Sequence, residues 1–238
     1  MYRVPLEIPV GEEVLNAHIT TSSVNRSPSV LFLHGAGTAT KERANSITSA
    51  LADRAISSLS IDFSGHGTST GDLKQSSIKK RVAEAIGALD VLDSPIPPAL
   101  CGFSMGGHVA LEVMRRRKVR ALALFYPAVY ADVAYARPFG DGFRELIRKQ
   151  GSWQTSTAPS VLRSFGGRFF LAIGENDDVI PAGVVPWLIT QAARAASSEV
   201  FVVPGAGHQL LPMLVDHPDT EGEILDALAR TFAPDVAE

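Results

Sequence analysis

Residues 99–107, Ala99-Leu100-Cys101-Gly102-Phe103-Ser104-Met105-Gly106-Gly107, decide the fold. The first five are apolar or glycine, a short run that reads as a buried strand. Residues 105–118 then read as a helix. Between the two lies Gly102-Phe103-Ser104-Met105-Gly106, a match to G-x-S-x-G. That pattern is a sharp strand-to-helix turn. The serine takes a strained backbone conformation, and small residues two positions either side let strand and helix pass close. The serine oxygen is thereby exposed above the sheet, at a helix N-terminus that favours negative charge. With 20 glycines in the chain, on the order of 0.1 such strings arise by chance, so the flanking strand and helix patterns carry much of the weight.

Outward from this turn, strands and helices alternate. Residues 4–10 and 14–21 are extended runs separated by Gly11-Glu12-Glu13, which suggests a hairpin with a three-residue connection. Residues 29–33 form a short apolar run ending at His34-Gly35, and 57–61 a further strand. A helix over 41–55 puts Ala44, Ile47, Leu51 and Ala55 on one face; another over 76–92 carries the stripe Ile78, Val82, Ala85, Ile86 and Leu89, and Pro95, Pro97 and Pro98 close it. Downstream, 119–126, 169–173 and 199–203 read as strands and 183–196 and 219–232 as helices. The basic run Arg115-Arg116-Arg117-Lys118 reads as a solvated helix end, where cations suit the dipole. The alternation predicts one α/β domain over 1–238, a mostly parallel sheet of about eight strands with an antiparallel hairpin at one edge. Residues 131–167 break it and read as a small cap insertion with two short helices. Sites of open α/β sheets lie at the strands' carboxyl ends, where such an insertion can form a roof.

A serine nucleophile needs a base, and the chain has six histidines. His18 falls in the hairpin, His108 on the helix after the serine, His217 at the start of the last helix. His208 ends Pro204-Gly205-Ala206-Gly207-His208, a loop directly after the last strand, and is the expected base. The base needs an orienting carboxylate. Glu175, Asp177 and Asp178 follow the strand at 169–173. Asp177 is assigned to the histidine and Asp178, nearer Pro181 and the next helix, to capping. His34-Gly35-Ala36-Gly37 follows the third strand, and its Ala36 amide together with the Met105 amide would form an oxyanion hole. His34 is read as a loop residue without a catalytic part, and Cys101 as core.

These residues resemble the α/β-hydrolase superfamily over nearly the whole chain. The resemblance rests on His34-Gly35, Gly102-Phe103-Ser104-Met105-Gly106-Gly107, Gly174-Glu175-Asn176-Asp177 and Gly205-Ala206-Gly207-His208, in the family's order of serine, acid, histidine. Its pattern puts the acid three residues after Gly174, at Asp177. Asp62-Phe63-Ser64-Gly65-His66-Gly67 resembles a loop these enzymes carry after the fourth strand, with Ser64 where an arginine is common and His66 structural. The resemblance implies an α/β-hydrolase fold with helices on both faces of the sheet. It also implies a serine hydrolase acting on small carboxylic esters through an acyl-enzyme, without metal or organic cofactor. Small-cap carboxylesterases, feruloyl-esterase-like and monoacylglycerol-lipase-like enzymes are similar; a thioesterase, an amidase or a non-catalytic binding protein is the alternative.

Substrate contacts are expected from the insertion, where Tyr135, Phe139, Phe143, Trp153 and Phe165 either line a pocket or glue the segment to the sheet; Phe143 and Trp153 are the substrate-binding candidates. Its cations exceed its acids by two, too little to call for an anionic substrate. In the 238-residue chain, 22 Lys+Arg meet 25 Asp+Glu, a net charge of −3. With a pI near 6.1 there is no electrostatic case for nucleic acid or an anionic membrane. Hydrophobic residues at 45% exclude a disordered chain. A single cysteine excludes an intrachain disulfide, and the N-terminal residues do not read as a signal peptide; both fit a cytoplasmic protein, of open oligomeric state.

Overall fold

The computed structural model describes residues 1–23, 26–92, 94 and 96–234. Eight strands form one sheet: β1 (Tyr2–Val10), β2 (Glu13–Thr21), β3 (Val30–Leu33), β4 (Ser58–Ile61), β5 (Ala99–Phe103), β6 (Ala121–Phe125), β7 (Arg168–Gly174) and β8 (Ser197–Val203). Their order is β1-β2-β4-β3-β5-β6-β7-β8. β1 and β2 pair antiparallel, as do β2 and β4; every other pairing is parallel. The central strands β3, β4, β5 and β6 are buried at every position. That is why β3, β5 and β6 appear in sequence as unbroken runs of apolar residues or glycine, while β4 buries two small serines, Ser58 and Ser60, between its apolar residues.

From β3 the chain steps to β4 on one side, then returns past β3 to β5 on the other. Right-handed crossovers taken in opposite directions place their helices on opposite faces of the sheet. Accordingly α1 (Asn45–Asp53) packs with the C-terminal helix, while α2 (Ile78–Asp90) packs with α3 (Met105–Met114). The reversal between β3 and β5 opens a crevice at their carboxyl ends. Beyond β6 come α4 (Phe143–Ile147), α5 (Val184–Gln191), α6 (Leu210–Leu214) and α7 (Pro218–Phe232).

Several boundaries differ from the sequence-based expectation. The hairpin connection has two residues, since Val10 pairs with Glu13, and Gly11 takes φ +61° as tight hairpin turns require. The helix expected over 41–55 begins with a 3₁₀ turn, Lys41–Ala44. α3 stops at Met114, and the basic run after it is paired rather than merely solvated: Arg115 and Arg116 reach Glu112 at 3.0 and 2.8 Å, and Arg117 reaches Asp90 at 2.9 Å. Residues 131–167 hold one short α-helix and three 3₁₀ turns, Asp132–Ala134, Ser152–Thr155 and Ala158–Ser164, instead of two helices. This segment is tied to the stretch before α2: Phe139 and Gly140 N–H donate to the carbonyls of Ser76 and Lys74. α6 was not expected; its five residues are too few for a helical period to stand out. Pro95, one of the prolines expected to close α2, lies outside the described residues. Among the described residues no helix is long and apolar enough to cross a membrane.

Candidate active site

Ser104 joins β5 to α3 with φ +50° and ψ −114°. A non-glycine residue in that region carries strain of order 1–3 kcal/mol and persists only when its surroundings over-determine it. Here they do. Ser104 N–H donates to Phe125 O at 3.0 Å, and Ser104 O accepts from Gly107 N–H and Ala128 N–H at 2.9 and 3.0 Å. The flanking glycines are required by space: a Cβ on Gly102 would collide with the Gly106 backbone, and one on Gly106 with the carbonyl of Leu33.

His208 follows β8 and reaches back over the sheet. Ser104 Oγ lies 3.2 Å from its Nε2, and Asp177 Oδ2 lies 2.9 Å from its Nδ1. The tautomer set by the carboxylate has Nδ1–H donating to Asp177 and Nε2 accepting from the serine hydroxyl. The Tyr126 ring packs against the imidazole in a T-shaped contact, with ring centroids 4.8 Å apart. The acid and base loops lock together. A side chain on Gly174 would strike Ala206 O; Asn176 N–H donates to that same carbonyl at 2.8 Å, and Gly205 N–H donates to Glu175 Oε2 at 2.9 Å.

Asp177 is 1% exposed in its side chain, and its second oxygen is also in use: Oδ1 accepts from Val179 N–H and Ile180 N–H at 2.9 and 3.0 Å. This corrects the expectation that Asp178 caps the following turn. Asp177 does so with one oxygen while holding His208 with the other. Asp178 is exposed, and α5 has Gly183 as its N-cap without a side-chain cap bond.

The loop after β3 is fixed from behind. His34 Nε2 accepts from Phe63 N–H at 3.1 Å, so its Nδ1–H donates to Gly35 O at 2.8 Å. Arg81 Nη1 donates to the same carbonyl at 3.1 Å and contacts Met105 Sδ at 3.2 Å. In a trans peptide the carbonyl and the next N–H point in opposite directions. Two donors on Gly35 O therefore fix the direction of the Ala36 N–H. Met105 supplies the first amide of α3, which has no intrahelical acceptor. Ala36 and Met105 both line the cleft above Ser104.

Sequence reasoning missed Arg81. It is fully buried on α2, its guanidinium lies between the rings of Phe63 and Phe139, and Nη2 donates to His66 Nε2 at 3.1 Å. Burial holds it below the usual arginine range, at about 10, with nearby Glu84 opposing; the group remains a cation at neutral pH. A signal was present: Arg81 falls in the apolar stripe between Ile78 and Ala85, where a charge is costly unless paired. It also brings a guanidinium to the loop after β4, where Ser64 stands.

A cleft of about 1220 Å³ opens above Ser104, and Phe139, Phe143 and Trp153 line it. Tyr135 faces Arg116 and Phe165 covers Gly167, so neither belongs to the cleft wall. Phe143 is wedged against Phe139 and Tyr130, and Trp153 against Trp187. The two candidate aromatics thus both face the cleft and hold the segment in place. Cys101 is buried in β5, where burial pushes its thiol up.

A family model described as the alpha/beta hydrolase family matches residues 30–221. Among solved structures, Est1E from Butyrivibrio proteoclasticus with ferulic acid bound is similar, with a TM-score of 0.71 at 17% identity over 94% of this chain and 99% of that one. A thioesterase domain from the curacin biosynthetic pathway is similar at TM-score 0.72 and 15% identity, covering 94% of this chain and 99% of that one. At these identities the likeness concerns the fold alone. Among curated proteins, 89 residues, 36% of this chain, are 33% identical to the Multifunctional-autoprocessing repeats-in-toxin of Vibrio cholerae serotype O1; the match spans 2% of that protein's length.

Proposed function

This chain belongs to the alpha/beta hydrolase family, and from that premise we propose that it is a serine hydrolase of carboxylesterase type. Ser104 is its nucleophile, His208 its general base and Asp177 the residue that orients the base. The observation that carries this reading is the continuous relay of hydrogen bonds from Asp177 Oδ2 through His208 to Ser104 Oγ. A protein that only bound its ligand would have no use for all three groups in contact.

In this reading Ser104 Oγ attacks the ester carbonyl while His208 Nε2 takes its proton. Asp177 stays ionised and stabilises the imidazolium. The carbonyl oxygen becomes an oxyanion, held by the N–H groups of Ala36 and Met105 at the positive end of α3; each such donor is worth about 10²–10³ in kcat. His208 then returns the proton to the departing alcohol, leaving an acyl-serine. Water attacks the acyl group along the reverse path, losing its proton to His208, which restores Ser104. Phe143 and Trp153 contact the organic part of the substrate. The same machinery would cleave a thioester, so rates on an oxygen and a sulfur ester of one acid decide between the two.

The test is labelling with a fluorophosphonate. Wild-type protein is modified at Ser104, and Ser104→Ala loses both the label and hydrolysis of p-nitrophenyl butyrate. Labelling that survives the substitution would overturn the assignment.

A further inference from the structure

We infer that the ester taken by this cleft carries an anionic group, a carboxylate or a phosphate, on the limb that reaches the mouth. The inference rests on the reading of Ser104 as nucleophile and adds the class of substrate. Near Ser104 the cleft wall is largely apolar. Toward solvent it gathers Arg43, Lys74, Arg144, Arg148 and Lys149, and the one carboxylate among its lining residues is Asp178. This is a local excess of positive charge in a chain whose net charge is −3.

The five cations come from three separate stretches: the turn before α1, the turn before α2, and α4 with the residues after it. None of them is within ion-pair distance of a carboxylate among the described residues; Arg43 contacts the amide oxygen of Gln209 at 3.4 Å. Three arginines elsewhere on the surface are matched, Arg54 with Asp226, Arg117 with Asp90 and Arg230 with Glu199, while Arg3 and Arg163 bond the neutral side chains of Ser49 and Gln191. Of the three acids of the 131–167 segment, Glu145 is exposed on α4 and is not among the residues that line the cleft, and the other two are engaged elsewhere. Asp132 accepts from Thr157 N–H at 2.8 Å and Asp141 faces Arg137 at 3.6 Å. Folding therefore sorts a nearly balanced segment into a cationic inner rim. Cations left unpaired around a low-dielectric cleft focus the field there and raise the local concentration of anions, by about tenfold or more.

Two matched substrate pairs test this. On the acyl side, mono-p-nitrophenyl adipate is compared with its methyl ester; on the alcohol side, 1-butyrylglycerol 3-phosphate with monobutyrin. In at least one pair the anionic member should have about tenfold or more higher kcat/KM at low ionic strength. That ratio should fall toward one in 1 M salt, where screening acts within about 3 Å. The double variant Arg144→Glu/Arg148→Glu, at two exposed positions, should cut the ratio about fivefold or more. Which pair responds tells an anion on the acid from one on the alcohol. Turnover of the neutral esters with ratios near one in both pairs would overturn the inference and leave the esterase reading standing. No turnover of any of the four, with Ser104 unlabelled by fluorophosphonate, would overturn that reading and the inference with it.

Discussion

Asp177 and Asp178 are neighbours of identical chemistry, and their environments assign them different work. Asp177 uses one oxygen on His208 and the other on two backbone amides. An asparagine at 177 keeps an oxygen for those amides but presents N–H groups to His208 Nδ1, forcing the wrong tautomer. Asp177→Asn is therefore expected to lose about 10⁴ in kcat with a melting temperature close to wild type. Asp177→Ala should lose the activity and, by freeing the turn, about 1 kcal/mol of stability as well. Asp178→Asn should change kcat by less than about threefold and leave stability within about 0.5 kcal/mol, the usual range for a surface position. Side-by-side kinetics and thermal melts of the three variants check this; an inactive Asp178→Asn would reverse the assignment.

At the scale of the element, the segment between β6 and β7 combines two tasks. α4 inserts the buried Phe143 between Tyr130 and Phe139, so the ring both closes the cleft wall and anchors the helix. Trp153 packs on Gly183 and Trp187, linking the segment to α5. Phe143→Ala removes an aromatic ring from this wall, a change that costs about 3–5 kcal/mol in a closed core and less beside an open cleft. The expected result is a melting temperature lower by about 5 °C or more, with the preferred acyl chain lengthened. Trp153→Ala should shift the chain preference with a smaller loss of stability, because its ring is only half-buried. A series of p-nitrophenyl esters of increasing chain length measures both. Unchanged relative rates would leave the two rings with a structural role alone.

Across the whole molecule, buried histidines tie stability to pH. Burial lowers both His18 and His108 to about 4, from an ordinary value of 6.5. At His18 Arg3 and Lys41 add to the effect while Glu42 and Asp62 oppose it; at His108 the nearby Glu112 and Asp132 oppose it and Arg115 assists. In this window the unfolded chain binds more protons than the folded one, so stability rises with pH. The contribution is complete above about pH 6.5 and is lost as the pH falls toward 4, by at most roughly 3 kcal/mol for each group. Glu84, whose carboxyl burial raises, acts in the opposite sense, so the single-site comparison is the informative one. His108→Gln should flatten the pH dependence of urea unfolding between pH 7.5 and 5 relative to wild type. Parallel curves for the two proteins would show that His108 does not titrate on unfolding.

The α/β alternation, the strand-to-helix turn at Ser104, and the loops after β3, β7 and β8 that carry Ala36, Asp177 and His208 can be read from residue order alone. These were legible because burial on both faces writes an unbroken apolar run, and because a backbone forced close to another backbone admits only glycine, as at Gly102 and Gly106. Short elements such as α6, and the irregular turns of 131–167, were not legible, since fewer than two helical turns leave no period to read. Which oxygens of Asp177 do what, that Arg81 fixes the peptide before Ala36, and that five cations without a carboxylate partner among the described residues share one rim follow only from the folded arrangement. Each of these depends on where a side chain points on an irregular loop, or on groups far apart in the chain. His208 and Ser104 are separated by 104 positions and Arg81 and Gly35 by 46. A charge count along the chain adds residues that face the cleft to residues that face away; the two are separated only when the backbone has turned one set inward.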